Sequence, residues 1–177
     1  MIDYKKYLAQ ILNGYRSSYD IETYDEVEEG LVATMVLHMN QTQQFLFKEF
    51  QMSSASDDEY VSVFRVSNLT EEYVQTNVQN IFEDGLTKID IDKITFNKQH
   101  MCTRVVALFL CDYADEAALK AVAKCKLRKS FQFSLKGWIE AHTAVVVMSD
   151  GSVKTNSIAR DTAKFLKKHV KHYMNNV

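Results

Sequence analysis

The chain has 177 residues, of which 46% are hydrophobic, 25% charged and 11% aromatic. That is the composition of a globular domain, and the length fits one domain, 1–177, with a sizeable core. Twenty-one Lys and Arg against 23 Asp and Glu leave a formal charge of −2, which excludes polyelectrolyte behaviour of the whole chain.

Residues 3–15 carry Tyr4, Tyr7, Leu8, Ile11, Leu12 and Tyr15 at helical spacing, with Asp3 placed to cap the start and Gly14 near the end. An acidic connector follows, with Asp20, Glu22, Asp25, Glu26, Glu28 and Glu29; it lacks the alternation and central Gly of an EF-hand loop. Leu31–Met39 alternates in the strand period, and Gln43–Phe50 repeats the pattern after the link Asn40-Gln41-Thr42, which predicts a hairpin. The polar loop Ser53–Glu59 leads to a third strand, Tyr60–Val66. Asn68-Leu69-Thr70-Glu71 has the capping-box arrangement, and Val74, Val78, Ile81, Phe82 and Gly85 mark the helix behind it. Residues 87–101 keep no single period. Arg104–Cys111 is a near-continuous apolar run, suited to a central strand buried on both faces. Asp112 or Asp115 can cap an Ala-rich helix holding Leu119, Val122 and Cys125.

Between Lys129 and Met148, the residues Phe131, Phe133, Leu135, Ile139, Ala141, Val145 and Val147 all hold odd positions. Their shared parity predicts one core face, joined by a three-residue Lys136-Gly137-Trp138 turn or by one long bent strand. Asp150-Gly151 then marks a tight turn before a short strand, Ser152–Thr155. The chain closes on a helix from Ser157 to Tyr173, with Ile158, Phe165, Leu166, Val170 and Tyr173 inward. The expected fold is therefore α+β, with a mainly antiparallel or mixed sheet flanked by helices in the order α-β-β-β-α-β-α-β-β-(β)-α.

Many activities lose their residues. There is no Pro, and the five glycines are too far apart for GxGxxG or a P-loop, so no phosphate cradle of that kind is expected. GxSxG and HExxH are absent. No run reaches the roughly 20 apolar residues that span a bilayer, and the first seven residues lack the apolar core of a secretory signal. Cys102, Cys111 and Cys125 form no CxxC pair, which fits a reduced, cytoplasmic setting. His169 and His172, and His100 with Cys102, fall short of a four-ligand zinc set. No metal, cofactor or membrane partner is expected.

The order αβββαβ over roughly the first 111 residues resembles the core of restriction-endonuclease-like nucleases. That resemblance implies an Asp on the second core strand and an E-x-K pair on the third, holding metal and activating water. The second predicted strand offers only Lys48 and Glu49, on opposite faces, and Val61–Arg65 has no carboxylate, so cleavage is not expected. The element order also looks like that of small dimeric secretion chaperones, which implies an extended peptide partner. Lys129-Ser-Phe-Gln-Phe-Ser-Leu-Lys-Gly-Trp138 is similar to a segment of an uncharacterised bacterial protein family, which implies bacterial origin and no activity.

Charge is the remaining signal. Residues 1–114 hold 9 basic and 18 acidic residues, whereas 115–177 hold 12 basic and 5 acidic. Arg160, Lys164, Lys167, Lys168 and Lys171 recur at spacings of 3 and 4 on the last helix, a stripe able to track phosphates. Trp138 beside Lys136 is the expected partner anchor, while Phe131, Phe133 and Leu135 are assigned to the core. These residues define the candidate surface of a non-enzymatic cytoplasmic interaction or accessory module that self-associates or binds a protein partner. The alternative is a catalytically degenerate nuclease-like domain that binds nucleic acid through the basic C-terminal helix.

Overall fold

The structure, a computed structural model, describes residues 1–24, 29–38, 56–89 and 100–175. Its elements run α1 (Tyr4–Tyr15), β1 (Asp20–Thr23), β2 (Gly30–His38), β3 (Ser56–Leu69), α2 (Glu71–Thr87), β4 (His100–Ala114), α3 (Glu116–Lys124), β5 (Arg128–Ser130), β6 (Trp138–Val147), β7 (Val153–Thr155) and α4 (Arg160–Asn175). The fold is α+β, and the order of helices and strands is the expected one.

One mixed sheet carries the chain, in the order β1-β2-β3-β4-β6-β5, with β7 also paired to β6. β1, β2 and β3 form an antiparallel meander, whereas β3–β4 and β4–β6 are parallel. Parallel neighbours need crossovers, and α2 and α3 supply them. Two successive crossovers of the same hand in one direction leave both helices on one face. Val74, Val78 and Phe82 of α2, with Ala118 and Val122 of α3, accordingly pack on Phe64, Val105, Phe109, Ile139 and Val145. On the other face Tyr7 and Ile11 of α1 and Leu166 of α4 cover Val61, Val63, Val106, Leu108 and Val146. β4 is central and buried on both faces, which is why its sequence shows an apolar run rather than alternation.

Local chemistry sets the element ends. Asp3 caps α1 by accepting the Lys6 N–H at 3.0 Å, and Asp115 caps α3 by accepting that of Ala118 at 2.6 Å. The cap of α2 is Thr70, which accepts the Tyr73 N–H at 3.2 Å; Asn68 belongs to β3. The predicted box therefore stood two residues early, because the β3–β4 ladder extends to Leu69. Gly14 lies near the end of α1, as its last residue but one. A Cβ there would sit 2.9 Å from the Phe165 ring, so the glycine admits α4 at close range.

Three further expectations change. Residues 20–23 of the acidic connector form edge strand β1, because their backbone pairs with Ala33–Val36. Gln43–Phe50, the second arm of the expected hairpin, lies outside the described residues, and β2 pairs with β1 and β3 instead. α4 starts at Arg160, which leaves Ile158 before it and 44% exposed rather than inward.

Candidate functional site

The charge asymmetry along the sequence becomes an asymmetry across the sheet. The acidic residues Asp20, Glu22 and Glu29 are exposed at the β1–β2 edge. The basic part of the chain builds the other end: α3, β5, β6, β7 and α4.

Where β3, β4 and β6 begin, one row of paired residues alternates in sign. Glu59 faces Arg104, Arg104 faces Glu140, and Glu140 faces Arg128. Glu59 Oε2 is 3.8 Å from Arg104 Nη1, and Glu140 Oε2 is 3.6 Å from Arg128 Nη1. The Tyr19 hydroxyl donates to Glu59 at 2.9 Å. Burial first, and the Glu59 charge second, hold that phenol far above its usual range. Glu140 accepts the Trp138 indole N–H at 3.1 Å and lies 3.2 Å from His142 Nε2. The hydrogen bond with His142 chiefly holds its carboxyl below the usual range; Arg128 and Trp138 add to this, and burial opposes it. A carboxylate that orients an imidazole is half of an acid–base device. Burial pushes the Cys111 thiol up to about 12 and also raises that of Cys125. The row holds two cross-strand ion pairs, Glu59–Arg104 and Arg128–Glu140.

The hairpin that follows β5 differs from its sequence reading. Instead of a Lys136-Gly137-Trp138 turn, residues 131–137 form a loop, and Trp138 opens β6 opposite Ser130. Gln132, Phe133 and Ser134 take φ of +47°, +55° and +68°, and Gly137 takes +83°. Residues 132–134 make one left-handed turn, closed by Leu135 N–H to Gln132 O at 3.0 Å, and a second turn follows, closed by Gly137 N–H to Ser134 O at 3.1 Å. A second pair of bonds, Phe131 N–H to Gly137 O and Lys136 N–H to Phe131 O, ties the loop base at 3.0 and 3.2 Å. The shared parity of Phe131, Phe133 and Leu135 therefore does not give a shared face. Phe131 is buried at 6% exposure, but Phe133 is 100% exposed and Leu135 69%. Assigning the latter two to the core is overturned, since parity carries through a strand and not through a left-handed turn.

Trp138 is half-buried rather than displayed, its ring under the Arg128 guanidinium at 4.7 Å. Lys136 is half-buried in the loop. Arg160, Lys164, Lys167, Lys168 and Lys171 are all exposed along α4, with Lys164 paired to Asp161 at 3.3 Å. The structure thus joins Lys136 and Trp138 in one hairpin and the other five on one helix.

His169 is tied into the α1–α4 contact, with Gln10 Nε2 at 2.9 Å from its Nδ1 and its ring against Phe165. Burial, then Lys168 and His172, lower its pKa. Among the described residues, no three His, Cys, Asp or Glu converge as a metal set, and no helix is long and apolar enough to cross a membrane. Between α2 and α3 lies an open groove of about 790 Å³, with Glu71 and Glu116 at one end and Lys124 and Lys126 at the other.

Sequence reasoning missed Phe133, Leu135 and the Glu59–Arg104–Glu140–Arg128 row. One signal for the first pair was available: residues 117–139 contain six basic residues and no acidic one.

The chain belongs to a family described as a domain of unknown function (DUF8052), whose model matches residues 3–168, from the cap of α1 into α4. Comparison with curated proteins and with solved structures gives no match.

Proposed function

From a family whose description assigns no activity, we propose that this member is a non-enzymatic interaction module whose working surface is the 131–137 hairpin loop. One observation carries the reading: a left-handed turn of three non-glycine residues holds Phe133 fully in solvent. Each such residue costs about 1–2 kcal/mol, and an exposed Phe returns nothing to the isolated domain. The four backbone hydrogen bonds and the buried Phe131 hold the turn rigid, which lowers the ordering cost of binding. Three free thiols, two of them buried, support a reducing cytoplasmic setting.

The test uses a single reporter. Trp138 is the only Trp, so Phe133→Trp in a Trp138→Phe background places the one indole at the tip. Red-shifted emission open to quencher in dilute protein is the expected result. Blue-shifted, protected emission in the monomer would mean that the tip packs on its own domain, and the reading would fall.

A second reading has its own observation, the exposure of all five cations along α4. In it the domain is a nuclease-like scaffold without cleavage that binds nucleic acid on that helix. Salt-dependent anisotropy of a labelled mixed-sequence nucleic acid tests it.

A further inference from the structure

We propose that the hairpin tip inserts into the headgroup layer of an anionic phospholipid bilayer, with Phe133 and Leu135 entering the acyl boundary. The inference rests on the interaction reading of the same loop and names its partner. It departs from the sequence expectation of no membrane partner, which rested on the lack of a run long enough to span a bilayer and of a secretory signal.

Three features select a lipid surface. Phe133 and Leu135 project from the far end of a hairpin, two positions apart, with the polar Ser134 between them. A protein partner needs a complementary patch of about 800 Å² on each side, and two side chains on a tip fall well short of that. A bilayer needs no matching pocket. Lys129, exposed in the middle of β5, and Lys136, near the end of the loop, place positive charge on both legs of the hairpin. Their charge disfavours a symmetric pairing of two tips, because like charges would meet, and it favours an anionic surface. An apolar insertion and a basic flank together give reversible surface binding, which neither gives alone.

Flotation with large vesicles tests this, using equimolar phosphatidylglycerol and phosphatidylcholine against phosphatidylcholine alone. The full chain should float with the anionic vesicles only, and salt should weaken the binding. Phe133→Ser should weaken binding about tenfold, and Phe133→Ser with Leu135→Ser should abolish it. Neither substitution touches the core, so an unchanged circular dichroism spectrum is expected. The tip Trp reporter should shift to the blue with anionic vesicles. Failure of the wild type to float, or equal flotation of the double variant, overturns the lipid inference. If the reporter is solvent-exposed and vesicles leave it unmoved, the lipid partner is rejected and the interaction reading stands. If it is already protected in dilute protein, both fall. A blue shift with single-stranded nucleic acid and not with vesicles rejects the bilayer in favour of that partner.

Discussion

Arg104 on β4 stands directly opposite Glu140 on β6, at the centre of a row in which every cross-strand neighbour differs in sign. Parallel strands feel weak register constraints when both faces are apolar, because a slip merely exchanges one branched side chain for another. A buried charge is less forgiving. Moving β6 by one residue against β4 would set Glu140, at 13% side-chain exposure and ion-paired to Arg128 of β5, opposite Thr103 or Val105 instead of Arg104.

Glu140→Gln is therefore expected to destabilise the fold by about 2 kcal/mol near neutral pH, read as a shift in urea midpoint at constant slope. The pH dependence follows from sign. The carboxyl lies below its usual 4.5 in the folded state, so its contribution is complete above that value and disappears as pH falls through the lower folded value. The gap between wild type and variant should close in acid. A gap that stays constant to pH 3 would show that shape, not charge, carries the effect.

Phe133 gives the opposite expectation. Its φ of +55° is unstrained for glycine, so Phe133→Gly should raise stability by about 1 kcal/mol, reduced by the extra freedom glycine has when unfolded. A rise in Tm with loss of tip-dependent binding would identify a trade of stability for function at this turn. A fall in Tm would show that Phe133 packs on the domain in solution.

How much was legible depends on whether a residue's environment is local. The caps at Asp3 and Asp115 and the helices behind them were readable, since a cap is satisfied within three residues. β4 was readable because burial on both faces leaves an apolar run. The Thr70 cap was misplaced because a ladder partner more than 40 residues away, Ala114, holds Leu69 in β3. Phe131 and Phe133 look alike in sequence, yet a left-handed turn starting between them sends one inward and one to solvent. Nothing in the alternation marks that turn. The ion row was invisible for the same reason: Glu59, Arg104, Glu140 and Arg128 meet only through three strand pairings.

Gly85 tests the packing of α2 on the sheet. A Cβ there would lie 2.5 Å from Val105 Cγ1 and 2.9 Å from Ile139 Cδ1. Both are buried side chains of central strands, so neither can move without disturbing the β4–β6 ladder. Gly85→Ala gains about 1 kcal/mol of helix propensity and loses about 2–3 kcal/mol to overpacking. A net loss is expected, measured by chemical denaturation. A stabilised variant would place α2 farther from the sheet.

The exposed cations of α4 separate the two functional readings. Counterion release makes a phosphate-tracking surface lose affinity steeply with salt, with a log–log slope of roughly 0.7 to 0.9 per neutralised phosphate. If α4 binds nucleic acid, wild type should show a slope of several units. Lys164→Glu, Lys167→Glu and Lys168→Glu together should then remove binding. The same triple change reverses three charges in the middle of α4, so helicity must be checked alongside. Phe133→Ser should leave nucleic-acid binding on α4 untouched, because the loop and the helix are separate surfaces. Binding that survives the triple reversal but falls with Phe133→Ser would move the nucleic-acid contact from the helix to the hairpin. No binding at low salt would leave the α4 cations as a solvated face, with the hairpin as the working surface.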